Sequence, residues 1–537
     1  KGVLPGYTFC ATKRKTKKHA MESKAGLDKK AIRAAIVRQL KSSYPNFSRL
    51  SRKEKKRVVR EACSAAQREL EGGTLALPAL SGAERLGLED LPAGVLTLEQ
   101  MAKQVESFKT HVLRFRQPDR RRQIAAPLLR VMDDLLDDPL LNTLLAPASL
   151  TPSKRAWMPA QLLRMELLHT ARFPSFSYRA FCAYVASLKR KEERAFCGLS
   201  LRQDATPHHA TLSAFRRSLT FAMRVNLMVW LLHHFLRSGR IGDRVVHALD
   251  STDLAVPVNS YPLGEVELPD GTKLRMFADL DCDCGRRRAK RDRAVRFVGY
   301  RIHTLCVVDV ETGVAFPLLS LPAAANHHDL PVMEPLLALA LAIGLELKVL
   351  VADEGYASAP VQERLRREHG ILLVTPPEKK ALRPEAVNLG TGTVFCHSAC
   401  ETPMRYLGFD DEDGEHVFRC DLDHADLSCP FAASCPRERG LPLDTGLFGP
   451  IPACVPGVEP LHDLRKLCER PFNLLKHVDG LEPCHLVRQP SVAAQVVFSQ
   501  LVGLFKVLAG LRSVPRADAQ SATVQPQQEV LPLAGVV

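Results

Sequence analysis

The sequence predicts an α/β protein with a mixed β-sheet and a helical region before it. Between residues 244 and 375, segments alternate in the order strand, hairpin, helix, strand, helix, strand. Two strand-like runs, 298–310 and 314–321, flank Glu311-Thr-Gly313, which is typical of a hairpin turn. Apolar residues at helical spacing between 127 and 219 predict a helical block. This order of elements is that of an α/β layout with a mixed sheet.

Residues 1–115 are predicted to form a basic, helical N-terminal arm. Residues 1–60 contain 19 Lys and Arg against three acidic residues, so this segment has a net charge of +16 in a chain of +15. A tethered basic segment is typical of proteins that bind a polyanion, most often nucleic acid. The alternative is a solubilising tail. The chain begins with Lys1, and Met21 is a candidate start.

Composition argues against a membrane or secreted protein. The 537 residues suffice for two to four domains. The longest apolar run, around 336–345, has about ten residues, fewer than the roughly 18 that a membrane span needs. The 15 Cys residues occur without a secretion-signal pattern, which indicates a reducing compartment. A cytoplasmic location is therefore predicted.

The helical region 127–240 is predicted to bind DNA. Within it, Thr206–Leu219 has the pattern of a turn followed by a helix, because Thr206 and Pro207 suit a helix start. Arg216 and Arg217 are expected on the exposed side of that helix, as DNA contacts. The alternative to a helix-turn-helix is ordinary helical packing.

Two acidic residues end apolar, strand-like runs. Asp250 ends the run from Arg244, and Asp353 ends the run from Leu347. Strand ends lie at the rim of the sheet, where open α/β folds bind ligands. Two close carboxylates repel each other unless a divalent cation lies between them, and Mg²⁺ with substrate phosphates suits such a site. The alternative is that each Asp caps a loop.

A charged stripe is predicted near the C-terminus. His462, Arg465, Glu469 and Lys476 are separated by three, four and seven residues, which on an α-helix places them within about 60° of one another. Glu469 can complete a metal site there while the basic side chains contact phosphates. The alternative is a solvated charged face.

Short motifs around the three acids resemble those of insertion-sequence DDE transposases. Asp250 lies in Ala-Leu-Asp-Ser-Thr, Asp353 in Ala-Asp-Glu-Gly-Tyr, and Glu469 in Cys-Glu-Arg-Pro-Phe-Asn-Leu-Leu-Lys. The segments 297–303 and 211–219 are similar to further segments of that family. Together these motifs occur in the order expected of the family.

One large group of the family carries Tyr, two residues, Arg, three residues, Glu, six residues and Lys. His462, Arg465, Glu469 and Lys476 have those spacings, with His in place of Tyr. The resemblance covers roughly residues 130–510.

The resemblance implies an RNase H-like catalytic domain, formed by 241–380 and 455–511, that cleaves and joins DNA strands. Asp250, Asp353 and Glu469 would bind two divalent metal ions, Mg²⁺ or Mn²⁺. Such ions activate the attacking water or 3′-hydroxyl and stabilise the leaving oxygen.

The resemblance also implies how this chain would meet DNA. Tyr356 would lie beside the second acid, and Tyr356, His462, Arg465 and Lys476 would contact DNA. The expected partners are the terminal inverted repeats of an insertion sequence, target DNA and a second copy of the chain. The expected location is cytoplasmic and nucleoid-associated.

Two departures from the family pattern leave other functions open. His462 replaces the Tyr, and Pro471 follows Glu469 by two residues, where it kinks a helix unless the helix begins nearby. One alternative is an inactive, transposase-derived DNA-binding protein. Another is an RNase H-like metal-dependent nuclease.

Residues 381–454 are predicted to form an irregular, Cys-rich insertion, and 512–537 a flexible tail. Paired thiols in an irregular segment suit tetrahedral Zn²⁺, since the metal can replace a missing core. The alternative is free thiols in a loop. The predicted ligands, with Cys420 or His424 as substitutes, are Cys396, Cys400, Cys429 and Cys435.

Overall fold

The structure, a computed structural model, divides the chain into two compact units. Unit 1 consists of the described parts of 1–86, 255–300 and 324–326, and unit 2 of those of 87–254, 301–323 and 327–537. The described residues are 32–71, 93–115, 118–146, 157–242, 245–268, 271, 273–288, 294–327, 329–376, 386–388, 392–398, 400, 402–410, 412–422, 431, 434–442, 451–452, 454–455, 457–482 and 484–512. The first 31 residues of the predicted arm and nearly all of the predicted tail lie outside them.

The described chain before the sheet is helical, as the apolar spacing predicts. Ser177 and Thr220 begin two of the helices, because their hydroxyl oxygens accept hydrogen bonds from the backbone N–H of Ala180 (3.2 Å) and Met223 (3.3 Å). The helices are α1 (32–43), α2 (Arg52–Glu71), α3 (Leu98–Phe115), α4 (Pro118–Arg122), α5 (Pro127–Leu135), α6 (Asp138–Leu144), α7 (Pro159–Arg172), α8 (Tyr178–Ala186), α9 (Lys191–Phe196), α10 (His209–Ser218) and α11 (Phe221–Leu236).

Strands and helices alternate in the second half of the chain. They are β1 (Val245–Ala255), β2 (Gly264–Glu267), β3 (Lys273–Met276), β4 (Asp283–Arg288), β5 (Ala294–Asp309), β6 (Val314–Ala324), α12 (Leu330–Ala342), β7 (Val349–Ala352), α13 (Ala359–His369), β8 (Leu372–Val374), β9 (Val387–Asn388), β10 (Thr393–Val394), β11 (Arg405–Asp410), β12 (Glu415–Arg419), β13 (Glu438–Pro442), α14 (Val458–Asp463), α15 (Glu469–His477) and α16 (Gln489–Leu508).

The sheet of unit 2 has the order β5-β1-β7-β8, with β6 paired to β5. β1 and β8 both run parallel to β7. β5 and β6 form the predicted hairpin. Gly313 takes a positive φ of 64°, and the Asp309 carboxylate accepts hydrogen bonds from the N–H groups of Glu311 (2.9 Å) and Thr312 (3.0 Å). The predicted mixed α/β class is confirmed.

Unit 1 is built around a small core of its own. α2 packs on β2, which pairs antiparallel with β3. Val58, Val59 and Ala62 of α2 are buried with Val266 and Leu274 of that hairpin. In the same unit, β4 pairs antiparallel with the first half of β5. Residues 52–71 therefore form a helix whose apolar face packs in the core of unit 1. This part of the predicted arm is folded and does not act as a tether.

The main core of unit 2 surrounds α16, which packs against α7 and α11. α16 is also the one helix of the described chain that is by itself long and apolar enough to cross a membrane, but 89% of its apolar window is buried inside the protein. α10 and α11 satisfy the same test only as a pair, and they bend by 90° at their junction. Burial of this extent is typical of a core helix.

The prediction that Arg216 lies on an exposed helix face is wrong. Arg216 is 2% exposed and forms an ion pair with fully buried Glu166 of α7, and its guanidinium donates a hydrogen bond to Gln495 Oε1 of α16 at 2.6 Å. The hydroxyl of Tyr178 donates to Glu166 at 2.7 Å. Burying a charge requires such pairing, so Arg216 joins three helices and is not available to DNA. Arg217 is exposed as predicted.

The segment 381–454 is more regular than predicted. Its described part contains the β9–β10 pair and an antiparallel sheet β11-β12-β13. The strands are two to six residues long, and the register of β11 shifts near Gly408, so the sequence shows no sustained alternation.

Arg216→Ala is expected to lower the free energy of unfolding by about 3–5 kcal/mol, because it leaves the buried Glu166 carboxylate without its partner. Arg217→Ala is the matched control and should change stability by no more than about 0.5 kcal/mol. Urea unfolding followed by circular dichroism measures both. Equal stability of the two variants would contradict the buried ion pair.

Candidate active site

The register of β1 and β7 places Asp250 and Asp353 side by side. Leu249 pairs with Ala352 in the parallel ladder, so the next residue of each chain segment is one of these acids. The Asp250 carboxylate accepts the N–H of Ser251, and the Asp353 carboxylate accepts the N–H of Glu354, both at 2.7 Å. One detail differs from the prediction, since β1 continues to Ala255 and Asp250 therefore lies within the strand.

Arg465 reaches this carboxylate pair from the C-terminal region. Its Nη1 lies 2.9 Å from Asp250 Oδ2. Burial nevertheless raises the pKa of Asp250 to about 6, assisted by the neighbouring charges of Asp353 and Asp329, while Ser251 N–H and Arg465 act in the opposite direction. Arg465 therefore only partly offsets the burial of the Asp250 carboxylate and the charges of its two acidic neighbours.

Asp329 is the site residue that sequence reasoning missed. Its Oδ1 accepts hydrogen bonds from Ser251 Oγ at 3.1 Å and from Arg301 Nη1 at 3.4 Å. A Cβ on Gly355 would lie 2.6 Å from Asp329 Oδ2, so the absence of a side chain at 355 makes room for this carboxylate. The sequence feature that could have identified Asp329 is its position directly before helix α12.

Behind the acids lies a layer of buried polar side chains. Arg301 Nε lies 3.5 Å from Asp253 Oδ1. His303 Nδ1 and the Tyr356 hydroxyl are 2.9 Å apart. Burial lowers the pKa of His303 to about 3, so its ring is neutral. Tyr356 is 1% exposed, and its predicted contact with DNA is therefore wrong for this structure, although it does lie beside the second acid.

The predicted helical stripe does not lie on one continuous helix. Residues 464–468 form a 3₁₀ segment between α14 and α15, so the assumption of 100° per residue fails across them. Glu469 is exposed and is the first residue of α15. Pro471 therefore falls in the first turn of α15, where its missing N–H costs no helical hydrogen bond.

The remaining stripe residues have partners within the protein. His462 is half-buried and hydrogen-bonds the backbone of Ala352, the residue before Asp353. Burial lowers the pKa of His462. Lys476 is 14% exposed, and its Nζ lies 3.6 Å from Glu482 Oε1. The structure thus uses His462 as an anchor between α14 and β7, which is a different role from the predicted DNA contact.

A buried thiol fixes the start of α15 against the sheet. Cys468, directly before Glu469, is fully buried and hydrogen-bonds the Cys306 thiol of β5. Both thiols belong to an apolar cluster that also contains Ala248 of β1 and Val351 of β7. The backbone at Glu469 is therefore held on the same face of the strands that carry the first two acids.

The donor set at the sheet edge fits a hard divalent cation. Asp250, Asp353 and Asp329 present carboxylate oxygens, the ligands that Mg²⁺ and Mn²⁺ prefer. Among the described residues, no three carboxylate, imidazole or thiol groups already stand at metal-binding spacing. The predicted trio with Glu469 is therefore not assembled, and Arg465 occupies one oxygen of Asp250.

A second candidate site is a basic cavity within unit 1. It has a volume of about 410 Å³, and its walls include Lys273, Arg275, Arg286 and Arg296, with Asp283 as the acidic residue. The chain between β4 and β5, 289–293, lies outside the described residues. The described basic residues give this cavity a charge suited to an anion.

A mixed α/β fold with paired carboxylates at neighbouring strand positions defines a class of candidate phosphoryl-transfer proteins. Residues 241–409 of the chain match the family model described as "Transposase DDE domain". The match includes Asp250, Asp329 and Asp353 and ends before Arg465 and Glu469. It supports a DDE transposase acting on nucleic acid. A search of curated proteins found no match to the chain.

The raised pKa of Asp250 predicts a pH-dependent stability difference between the protein and Asp250→Asn. The folded protein favours the protonated form of the Asp250 carboxyl. The contribution of this carboxyl to the free energy of unfolding is therefore fully present below about pH 4 and is lost as the pH rises through about 6. Relative to Asp250→Asn, the protein should therefore lose about 3 kcal/mol between pH 4 and pH 8.

Urea unfolding in EDTA at several pH values measures this difference. Asp463→Asn is the control, because Asp463 is an exposed carboxylate paired with Lys466 near Arg465. A difference for Asp250→Asn that stays constant across this pH range would show that Asp250 titrates normally.

Proposed function

We propose that this protein is a DNA transposase that catalyses metal-dependent cleavage and strand transfer at the ends of an insertion sequence. One observation carries the proposal: Asp250 and Asp353 each come directly after the last residue pair of the parallel β1–β7 ladder, inside a segment that matches a transposase DDE domain. The reaction handles two DNA ends together, so the proposed active form is a homodimer acting in the cytoplasm at the nucleoid.

Asp250 and Asp353 would hold Mg²⁺ or Mn²⁺, which activates the attacking water or 3′-hydroxyl and stabilises the leaving oxygen. Asp250 is half-buried near Asp353 and Asp329, and burial, assisted by those two charges, raises its pKa, so a cation at this position would favour the ionised carboxylate. Arg465 supplies the compensating charge in the metal-free protein through its 2.9 Å contact with Asp250.

Glu469 is the proposed third ligand, as the resemblance implies. Three residues fix its surroundings: Arg465 is four residues earlier, Cys468 is buried against β5, and His462 hydrogen-bonds the end of β7. Glu469 itself is exposed, so its side chain is free of the buried cluster. Asp329 is proposed to position Ser251 and Arg301, the two groups that donate to it.

DNA contact is proposed for exposed basic side chains of each unit. In unit 1, α2 exposes Arg52, Lys53, Lys56 and Arg57, while Val58 and Val59 face the core. The basic cavity of the same unit adds four more positive side chains. In unit 2, Arg217 remains exposed on α10. Phosphates are the anions in DNA that such surfaces bind.

Asp250→Asn and Asp353→Asn are each expected to lower Mn²⁺-dependent DNA cleavage by about three orders of magnitude, because each removes a metal ligand. The substrate is duplex DNA taken from the sequences that flank the gene, and the product is measured on denaturing gels. Asp463→Asn, a neutralised exposed carboxylate next to α15, is the control and should cleave normally.

Glu469→Gln and Asp329→Asn separate the two candidates for the third ligand. Glu469→Gln should raise the Mn²⁺ concentration needed for half-maximal cleavage, whereas Asp329→Asn should lower the maximal rate at an unchanged metal requirement. The reverse pattern would assign Asp329 as the ligand. Full cleavage by Asp250→Asn and Asp353→Asn would reject the proposed function and favour a DNA-binding protein without this catalytic site.

Replacing Arg52, Lys53, Lys56 and Arg57 with Gln is expected to weaken DNA binding and its salt dependence. The slope of log affinity against log salt should fall by about 0.9 for each DNA phosphate that the variant no longer neutralises. Fluorescence anisotropy between low and high salt measures the slope. Gln at four exposed basic positions of unit 2 is a charge-matched control: Lys189, Lys191, Arg237 and Arg240. Equal slopes for the two variants would exclude α2 as a specific DNA contact.

A further inference from the structure

Four thiols of the segment between β8 and α14 form one connected network. Cys396 hydrogen-bonds the thiols of Cys400 and Cys435, and Cys420 hydrogen-bonds that of Cys435. All four are free cysteines; Cys400 and Cys420 are buried, and the other two are half-buried. They come from three separate places in the sequence, so the fold itself gathers them.

The backbone around these thiols is held by regular hydrogen bonding. Cys420 directly follows β12, and its N–H donates to the Arg437 carbonyl at 2.8 Å, just before β13. Phe395 and Pro403 form a bridge that closes the loop carrying Cys396 and Cys400. The thiols therefore project from one end of the β11-β12-β13 sheet and from a closed loop beside it.

The core under these strands is small for an independent fold. Among the described residues of this segment, its buried members are five, grouped with Cys396 and Cys435 as partly buried neighbours: Val394, Met404, Phe418, Cys420 and Leu441. Segments with so few buried apolar side chains usually need a cross-link or a metal. All the described cysteines are free thiols, and thiolates are ligands of structural Zn²⁺, so a metal suits this segment better than disulfides.

We propose that Cys396, Cys400, Cys420 and Cys435 bind one structural Zn²⁺ as four thiolates. Zn²⁺ favours tetrahedral sulfur ligation, whereas the hard Mg²⁺ of the proposed active site does not. No group of three or more ligands among the described residues is already arranged for a metal ion, so the ion has to draw the four sulfurs together. Binding releases the thiol protons to solvent, and no redox change occurs.

This ligand set differs from the first choice predicted from sequence by taking Cys420, a predicted substitute, in place of Cys429. Cys429, a predicted ligand, lies outside the described residues, and the structure instead connects Cys420 to the other three thiols. Cys420 follows a strand and is brought to Cys435 by the pairing of β12 with β13, which spacing alone does not reveal. The inference is independent of the proposed catalytic function, because none of the four cysteines belongs to the acid cluster.

The experiment measures zinc in the full-length protein purified under reducing conditions from zinc-supplemented medium. About one Zn²⁺ per chain is expected by elemental analysis. Single Ser variants of the four cysteines should each lose most of it. Cys454→Ser is the matched control, since Cys454 is half-buried against the same small core but outside the thiol network, and it should retain zinc. Cys429→Ser should also retain it.

A measurement on the unchanged chain keeps the test valid if a variant misfolds. A mercurial thiol reagent should release zinc in proportion to about four reacted thiols, and Co²⁺ should give the intense sulfur-to-metal absorption of a tetrahedral thiolate site. Zinc-free protein, zinc loss in Cys429→Ser with retention in Cys420→Ser, or a disulfide among the four cysteines by mass spectrometry would each overturn the proposal.

Discussion

The parallel pairing of β1 with β7 is the constraint on which the candidate site depends. The paired residues end at Leu249 and Ala352. Asp250 and Asp353 come next, so they lie side by side without needing any further contact. Their mutual repulsion is then a cost that the protein has to offset. The guanidinium of Arg465 does this in part, while burial, assisted by the charges of Asp353 and Asp329, raises the pKa of Asp250.

The supporting layer explains why the acids hold their positions. His462 fixes α14 to the last residue of β7, and the Cys468 thiol fixes the start of α15 to β5. The neutral ring of His303 and the buried Tyr356 fill the space behind the acids without adding charge. The C-terminal helices are thus docked by polar and thiol contacts beside the sheet, while the insertion between β8 and α14 folds on a core of its own.

Local periodicity made much of the fold predictable. The helix 359–369 and the hairpin around Glu311-Thr-Gly313 were identified because apolar spacing and turn chemistry act over a few residues. Tertiary contacts were not predictable in this way. Arg216 resembles an exposed helix residue until Glu166, 50 positions earlier, is seen to lie against it. The position of Asp329 before α12 does not by itself show that its carboxylate meets Ser251 of β1.

The buried contact of Arg216 with Gln495 has a consequence for biosynthesis. These residues are 279 positions apart, and α16, which carries Gln495, also fills the centre of the helical core made by α7 and α11. During translation the early helices emerge long before their central partner. Helices α7 and α11 therefore cannot complete their shared core until α16 has been synthesised.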